Sequence, residues 1–323
     1  MTTTALKKAA IPTRRAYSAR MAEYGAIDSD FAVMDADIGY STYSYLFGDK
    51  YPGRYFNMGI AEVNMFACAA GFAANGRTVI AGSYGVFITM RAVEVIRSFI
   101  CYPNLNVKIL SSHGGLTAAI DGVTHQATED IATMSTIPNM KVLVPADPVA
   151  AGKLFDVSFT SPGPVFTRLM RDPYYEIYDD SASFVLGGSN TLREGSDITI
   201  VSYGDMVFQA VAAAEELARS GISAEVIDAY SIKPYDAETI LQSIRKTGAL
   251  LVAENHQRKN GLGYELGILS LREFPVPFDN LGLRDMFAES GDYYKLLEKY
   301  GLSSSWINKA ATALVARKEQ NNA

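Results

Sequence analysis

The sequence predicts an α/β protein of two units: a parallel sheet covered by helices on both faces, then a smaller α/β domain. Three observations carry this expectation. Short runs rich in Val and Ile alternate with helical patterns from Phe31 onward. The alternation dissolves into Asp, Pro, Ser and Gly with scattered tyrosines between Asp172 and Gly195, and it then resumes. Strand–helix alternation joins parallel strands by crossovers that lie on the sheet faces, which is why such sheets are buried on both sides.

In the first unit the expected strands are Phe31–Met34, Thr78–Ala81, Val107–Ser111, Lys141–Val144 and Val165–Leu169. Helices are expected over Ala61–Asn75, Met90–Cys101 and Pro148–Thr160. The first of these is apolar almost all round, which suits a core or a subunit interface, and Asn75-Gly76 marks its end. The stretch after Asp172 reads as a surface linker rather than a layer of a sheet, dividing the chain into residues 1–175, a linker 176–194 and residues 195–323. Beyond it, Asp197–Ser202, Ser223–Asp228 and Ala249–Ala253 read as strands. Met206–Ser220 reads as a helix with Val207, Ala210, Val211, Ala214 and Leu217 on one face.

At 323 residues the chain can bury two cores, and 48% hydrophobic with 20% charged residues describes a globular protein. The net charge of −6 is spread along the chain, and no basic cluster exceeds Arg14-Arg15 or Arg258-Lys259. Nucleic acid is therefore not an expected partner. Cys68 and Cys101, both in apolar surroundings, read as reduced buried thiols rather than a disulfide or metal site. No metal-ligand spacing occurs. The first residues lack the apolar core of a secretory signal, and no run reaches the roughly 20 apolar residues of a bilayer span, so a cytoplasmic enzyme is expected.

Three stretches set reactive groups among glycines where strands are expected to end, the edge at which open α/β sheets bind ligands. In Asn57-Met58-Gly59-Ile60-Ala61-Glu62, Glu62 opens the apolar helix. Its bland reading is a first-turn carboxylate that satisfies helix N–H groups. In Gly82-Ser83-Tyr84-Gly85-Val86-Phe87, a strand runs into a glycine loop, and Phe87 alone reads as core. Ser111-Ser112-His113-Gly114-Gly115 is followed by Asp121-Gly122-Val123-Thr124-His125-Gln126, so two of the three histidines lie in glycine-rich loops near an aspartate. The third, His256, reads as a surface or interface hydrogen bond. Gly261-Leu262-Gly263 mimics a dinucleotide loop, but its third glycine falls one residue late, at Gly267.

Taken in order, Gly-Ile-Ala-Glu, Phe-x-x-x-Arg-Ala, Ser-His-Gly-Gly and Asp-Gly-x-x-His-Gln resemble the pyrimidine-binding domain of transketolases and deoxyxylulose-phosphate synthases. Pro138-Asn139-Met140-Lys141-Val142, Val144-Pro145-Ala146-Asp147 and Arg168-Leu169-Met170-Arg171 extend the resemblance from about Asp35 to Arg171. The second unit resembles the family's C-terminal domain more loosely. The resemblance implies a subunit of a thiamine-diphosphate transketolase that moves a two-carbon ketol unit between sugars or sugar phosphates. Glu62 would bond the cofactor's aminopyrimidine and favour the imino tautomer that takes the thiazolium proton. Phe87 would stack on the pyrimidine, with Ile60 beside it. His113 and His125 would face substrate and pass protons, Asp121 would contact a sugar hydroxyl, and Arg171 would clamp a sugar phosphate.

No Gly-Asp-Gly occurs in the chain, so the resemblance implies that Mg²⁺ and the cofactor's diphosphate are held by a separate N-terminal-half subunit, in an α₂β₂ assembly. Relatives often carry a basic residue in the neighbourhood that Tyr43 occupies, and a glutamate where Ile120 stands, which makes the sugar the open question. The alternatives are the β subunit of a 2-oxoacid dehydrogenase, against which the Asp-Gly-Val-Thr-His-Gln element speaks, and a deoxyxylulose-phosphate synthase, which has that element in one long chain. A scaffold subunit without chemistry would not need Glu62, Phe87, His113 and His125 together.

Overall fold

The computed structural model describes residues 6–322. Its strands are β1 Phe31–Asp35, β2 Tyr55–Asn57, β3 Thr78–Tyr84, β4 Val107–Ser112, β5 Lys141–Leu143, β6 Val165–Arg168, β7 Asn190–Arg193, β8 Ile198–Ser202, β9 Ala224–Asp228, β10 Ser231–Lys233, β11 Leu250–Gln257 and β12 Phe278–Leu283. The α/β expectation holds. Seven strands form one sheet in the order β10-β5-β6-β4-β3-β1-β2, parallel except for β10. Five form the second in the order β12-β11-β8-β9-β7, parallel except for β7. The central strands β1, β4, β6, β8 and β9 are buried along their whole length, as sheets covered on both faces require.

The parallel register brings the reactive stretches to one edge. In the β3–β4 pairing Tyr84 is opposite Ser112, so His113 emerges one residue beyond, next to the start of the helix Gly85–Arg91. In the β1–β3 pairing Asp35 is opposite Gly82. Glu62 is the first residue of the helix Glu62–Ala74, which follows β2. That helix buries Met65, Phe66, Ala69 and Ala73, while Val63 on its other side is exposed, so its all-round apolarity is half core and half surface.

The two units share one apolar cluster. Phe66, Ile109 and Phe166 of the first unit belong with Tyr203, Ile227, Leu250 and Leu266 of the second. The carboxyl ends of β8 and β11 point into this junction, where Arg168 and Asp130 form a buried ion pair 2.9 Å apart.

Several local expectations change. The expected helix Met90–Cys101 breaks at Ala92: a helix ends at Arg91 and a π-helical turn covers Ile96–Cys101. The stretch after Gly82 is not a loop, since β3 runs to Tyr84 and Phe87 sits in the first helical turn. The expected linker contains β7, which pairs antiparallel with β9, and it buries Ile177 and Phe184, so its tyrosine- and phenylalanine-bearing part packs instead of lying free. Its polar composition hid this because β7 is an edge strand with one open side. β10 leaves the second unit to cover the edge of the first sheet, pairing with β5. Cys101 is buried, and burial pushes its thiol up to about 12, but Cys68 is half-exposed.

Candidate active site

Glu62 is buried, and its carboxylate is held by side chains rather than by the helix it opens. The Ser83 hydroxyl donates to Oε1 (3.1 Å) and Arg91 Nη1 donates to Oε2 (3.2 Å). This replaces the first-turn reading: the carboxylate is aimed across the helix toward β3. Arg91 sits at the last turn of the helix that begins at Gly85. Its guanidinium lies 3.9 Å from the centre of the Phe87 ring, so one side chain joins Phe87 to Glu62. With its side chain 48% exposed, Arg91 is the solvent-facing member of the trio. Ile60, beside Glu62, is 74% exposed.

The two histidines meet over Tyr84. The ring of Tyr84 is 4.1 Å from that of His113 and 5.6 Å from that of His125, and Phe87 is 5.3 Å from His125. Tyr84 does not stand out in the sequence, where it falls in the expected glycine loop; the extension of β3 to Tyr84 is what places its ring between the histidines. His113 is buried, shares a hydrogen bond with Ser112 Oγ (2.8 Å) and has a left-handed backbone, φ 65°. Burial, aided by Arg14, Arg171 and His125, pushes its imidazole down to about 2. His113 is therefore neutral at physiological pH and can donate one proton or accept one. His125 is half-buried, and its Nδ1 lies 3.0 Å from Thr124 Oγ1.

Asp121 and Arg171 close the far side. Arg171 Nε is 3.0 Å from Asp121 Oδ2, the same oxygen that lies 3.7 Å from His113 Nε2, and Arg171 Nη1 donates to Asp172 (2.7 Å). A cavity of about 260 Å³ opens beside Arg171, between Ile120, Met170, Tyr174, Asp292 and Tyr294. A second cation escapes sequence reasoning. Arg14, on the helix Thr13–Tyr24, is buried, and its Nη1 donates to Ser41 O (2.7 Å) and Ser41 Oγ (2.8 Å). Its guanidinium and that of Arg15 lie 5.4 and 5.8 Å from the ring centre of Tyr43. Nothing in the polar, basic start of the chain marks Arg14 as buried; only the packing of its helix does.

The remaining sequence candidates are structural. His256 is buried at the junction of the units; its Nε2 accepts from the Ala132 N–H (3.2 Å), and burial holds it down at about 4. The Gly261-Leu262-Gly263 turn binds a carboxylate of its own chain: the N–H groups of Leu262 and Gly263 donate to Glu254 at 3.0 and 3.1 Å. A Cβ at Gly261 would lie 2.3 Å from Glu254 Oε2, so the glycines admit Glu254, and the helix N-terminus is filled from within. Among the described residues no cluster of His, Cys, Asp or Glu could hold a metal ion, and no helix is long and apolar enough to cross a membrane.

Comparison with known proteins finds matches over most of the chain. Residues 9–176 match the pyrimidine-binding domain of transketolase and residues 187–307 its C-terminal domain. The chain is 38% identical to the 6-deoxy-6-sulfo-D-fructose transketolase subunit of Clostridium sp. (strain MSTE9), over 94% of this chain and 95% of that one. It is 32% identical to an apulose-4-phosphate transketolase subunit of Phocaeicola vulgatus, over 95% and 98%. Among solved structures, a split-gene transketolase in an inactive β4 tetramer superposes with a TM-score of 0.89 at 40% identity, covering 95% of this chain and 99% of that one. Transketolase from Campylobacter jejuni shares the fold at a TM-score of 0.79 and 19% identity, this chain spanning 46% of its length. With both of the family's domains matched in order, and its motifs gathered at one sheet edge, the chain belongs to the transketolase family.

Proposed function

We propose that this chain is the activating subunit of a two-subunit transketolase, working with thiamine diphosphate and with an N-terminal-half subunit that holds Mg²⁺ and the diphosphate in a cytoplasmic α₂β₂ assembly. The observation that carries the reading is the convergence of Glu62, Phe87, His113 and His125 on one strand-end edge.

The residues present fit a pyrimidine. Glu62 is a buried carboxylate without a backbone partner, able to hold a proton at a ring nitrogen once Arg91 releases Oε2. The Phe87 face, now covered by the Arg91 guanidinium, is a flat surface for an aromatic ring, and Ile60 offers exposed apolar contact. When bound, thiamine diphosphate supplies the electron sink that two-carbon transfer needs. His113, kept neutral, donates to a carbonyl oxygen without carrying a charge of its own into the ground state, and His125 moves protons at the half-buried rim. Asp121, oriented by Arg171, accepts from a sugar hydroxyl.

The positive charges of Arg14 and Arg171 both act on His113, which supports a sugar with an anionic end as substrate. The positive charge that relatives carry near Tyr43 is replaced here by Arg14 and Arg15 over its ring. The names of two relatives, acting on a sulfonated ketose and on a sugar phosphate, support the same class. The exposed apolar side chains Ile60, Val63 and Met90, all within two residues of Glu62 or Arg91 in sequence, support a partner subunit over the cleft.

The test is reconstitution. The chain mixed with a diphosphate-binding-half subunit, thiamine diphosphate and Mg²⁺ transfers ketol units from a phosphorylated or sulfonated ketose, and the chain alone does not. Turnover by the chain alone refutes the two-subunit reading. Glu62→Gln in the complex lowers kcat by about 10²–10⁴-fold, the usual worth of a positioned acid–base group; unchanged turnover removes Glu62 from the chemistry.

A further inference from the structure

The loop that carries His113 is held in an unfavourable backbone shape. His113 and Ala119 both have positive φ, 65° and 49°, and Gly115 has φ 56° and ψ −140°, a conformation open essentially to glycine alone. Such a loop persists only if its surroundings over-determine it; the first unit holds it through Gly115 N–H donating to Ala127 O (2.7 Å) and Gly114 N–H to Leu169 O (3.2 Å), and the second domain supplies the rest. Leu116 is fully buried within the second domain's own apolar cluster, beside Ile200, Leu251 and Ala253 among others. Its N–H donates to Asn255 Oδ1 (2.9 Å), while Asn255 Nδ2 donates to Asp205 Oδ2 (2.8 Å), which also accepts from the Tyr293 hydroxyl. The backbone carbonyl of Asn255 accepts from Arg168 Nη2 (2.7 Å). A Cβ at Gly115 would lie 2.5 Å from both Asn255 O and Asn255 Oδ1, and one at Gly114 would lie 2.3 Å from Arg168 Nε. The glycine pair after His113 is thus the imprint of two side chains packed against it.

We infer that Asn255 is a positioning residue for the proposed ketol transfer: from the second domain it fixes the Gly115–Leu116 turn and so aims His113. An amide suits the place because it accepts from Leu116 and donates to Asp205 at once, which neither a carboxylate nor an apolar side chain does. The inference rests on the function proposed above for its kinetic part, but not for its structural part.

The test uses three forms of the chain: wild type, Asn255→Ala, and the exchange Asn255→Asp with Asp205→Asn. In the exchange the acid accepts from Leu116 as the amide did and from the new amide at 205, so the Leu116 bond returns unchanged and the 255–205 bond returns with its direction reversed. In the reconstituted complex, Asn255→Ala lowers kcat by about 10–100-fold, since a displacement near 1 Å costs this much. Exchange of the cofactor C2 proton, driven from Glu62 on another element, stays at the wild-type rate, and the paired exchange restores kcat. By amide hydrogen exchange of the chain alone, peptides covering residues 113–122 open faster in Asn255→Ala and are protected again in the exchange. Equal protection in all three forms overturns the inference, as does an Asn255→Ala loss that the exchange leaves unrepaired or that C2 exchange shares. If the wild-type complex transfers no ketol unit, the proposed function fails and the protection pattern still decides whether Asn255 holds the loop.

Discussion

Replacing Gly115 by alanine introduces one methyl group at the junction of loop, first sheet and second domain. At φ 56° and ψ −140° an alanine backbone is strained by about 1–3 kcal/mol. The new Cβ, 2.5 Å from Asn255 O and Oδ1, falls 0.9 Å short of ordinary contact at 3.4 Å. Because one of the two oxygens is backbone, no rotamer change relieves it. The loop and β11 must separate, leaving the Leu116 N–H and Asn255 Oδ1 buried and unpaired, at about 1–3 kcal/mol more. A loss of about 2–6 kcal/mol follows, which lowers Tm by roughly 3–9 °C in a chain of this size. Gly152→Ala provides the opposite sign: Gly152 lies inside the helix Pro148–Thr160 with nothing within 4 Å of a new Cβ, and alanine there stabilises by about 0.5–1 kcal/mol. Thermal unfolding followed by circular dichroism measures both. A Gly115→Ala protein that melts with the wild type refutes the claim that the loop is pinned by the second domain.

Arg168→Met strands Asp130 at the buried junction and costs about 3–5 kcal/mol, whereas Arg168→Met with Asp130→Leu recovers most of it, as denaturant midpoints will record; equal midpoints for single and double variants count against the ion-pair account. Burial raises the Glu254 carboxyl to about 7, above its value in an unfolded chain of about 4.3. The folded state then holds the proton more tightly, so this group's stabilisation is complete below about pH 4.3 and is lost as pH rises through 7. Glu254→Gln therefore loses less stability than wild type between pH 4.5 and 8, and parallel curves refute this. Arg14→Met raises KM for a sugar with an anionic end by about 10–100-fold and leaves a neutral sugar unaffected, the worth of one charge-assisted hydrogen bond; equal effects on both sugars discard Arg14 as the anion contact.

Much of this architecture is legible because parallel strands are buried on both faces. β1, β4, β6, β8 and β9 read as short, mostly apolar runs, and the glycine-flanked Glu62, His113 and His125 stand out against them. β2, β7 and β10 are three or four residues long and take their strand geometry from neighbours, so Tyr55–Asn57 and Ser231–Lys233 carry no pattern of their own. The break at Ala92 is equally silent, since a π-helical turn and an α-helix draw on the same residue types.

The order of the motifs along the chain points to the family and to the proposed reactive groups, because each motif is local and its glycines, acids and histidines are visible one by one. Tertiary structure alone decides their states. It turns Glu62 away from its own helix toward Ser83 and Arg91, and it holds His113 neutral beneath Tyr84. It also brings Arg14 to Tyr43 and Asn255 to Gly115, across 29 and 140 residues of chain. These properties depend on burial and on distances between segments far apart in sequence, and neither exists until the sheets have packed.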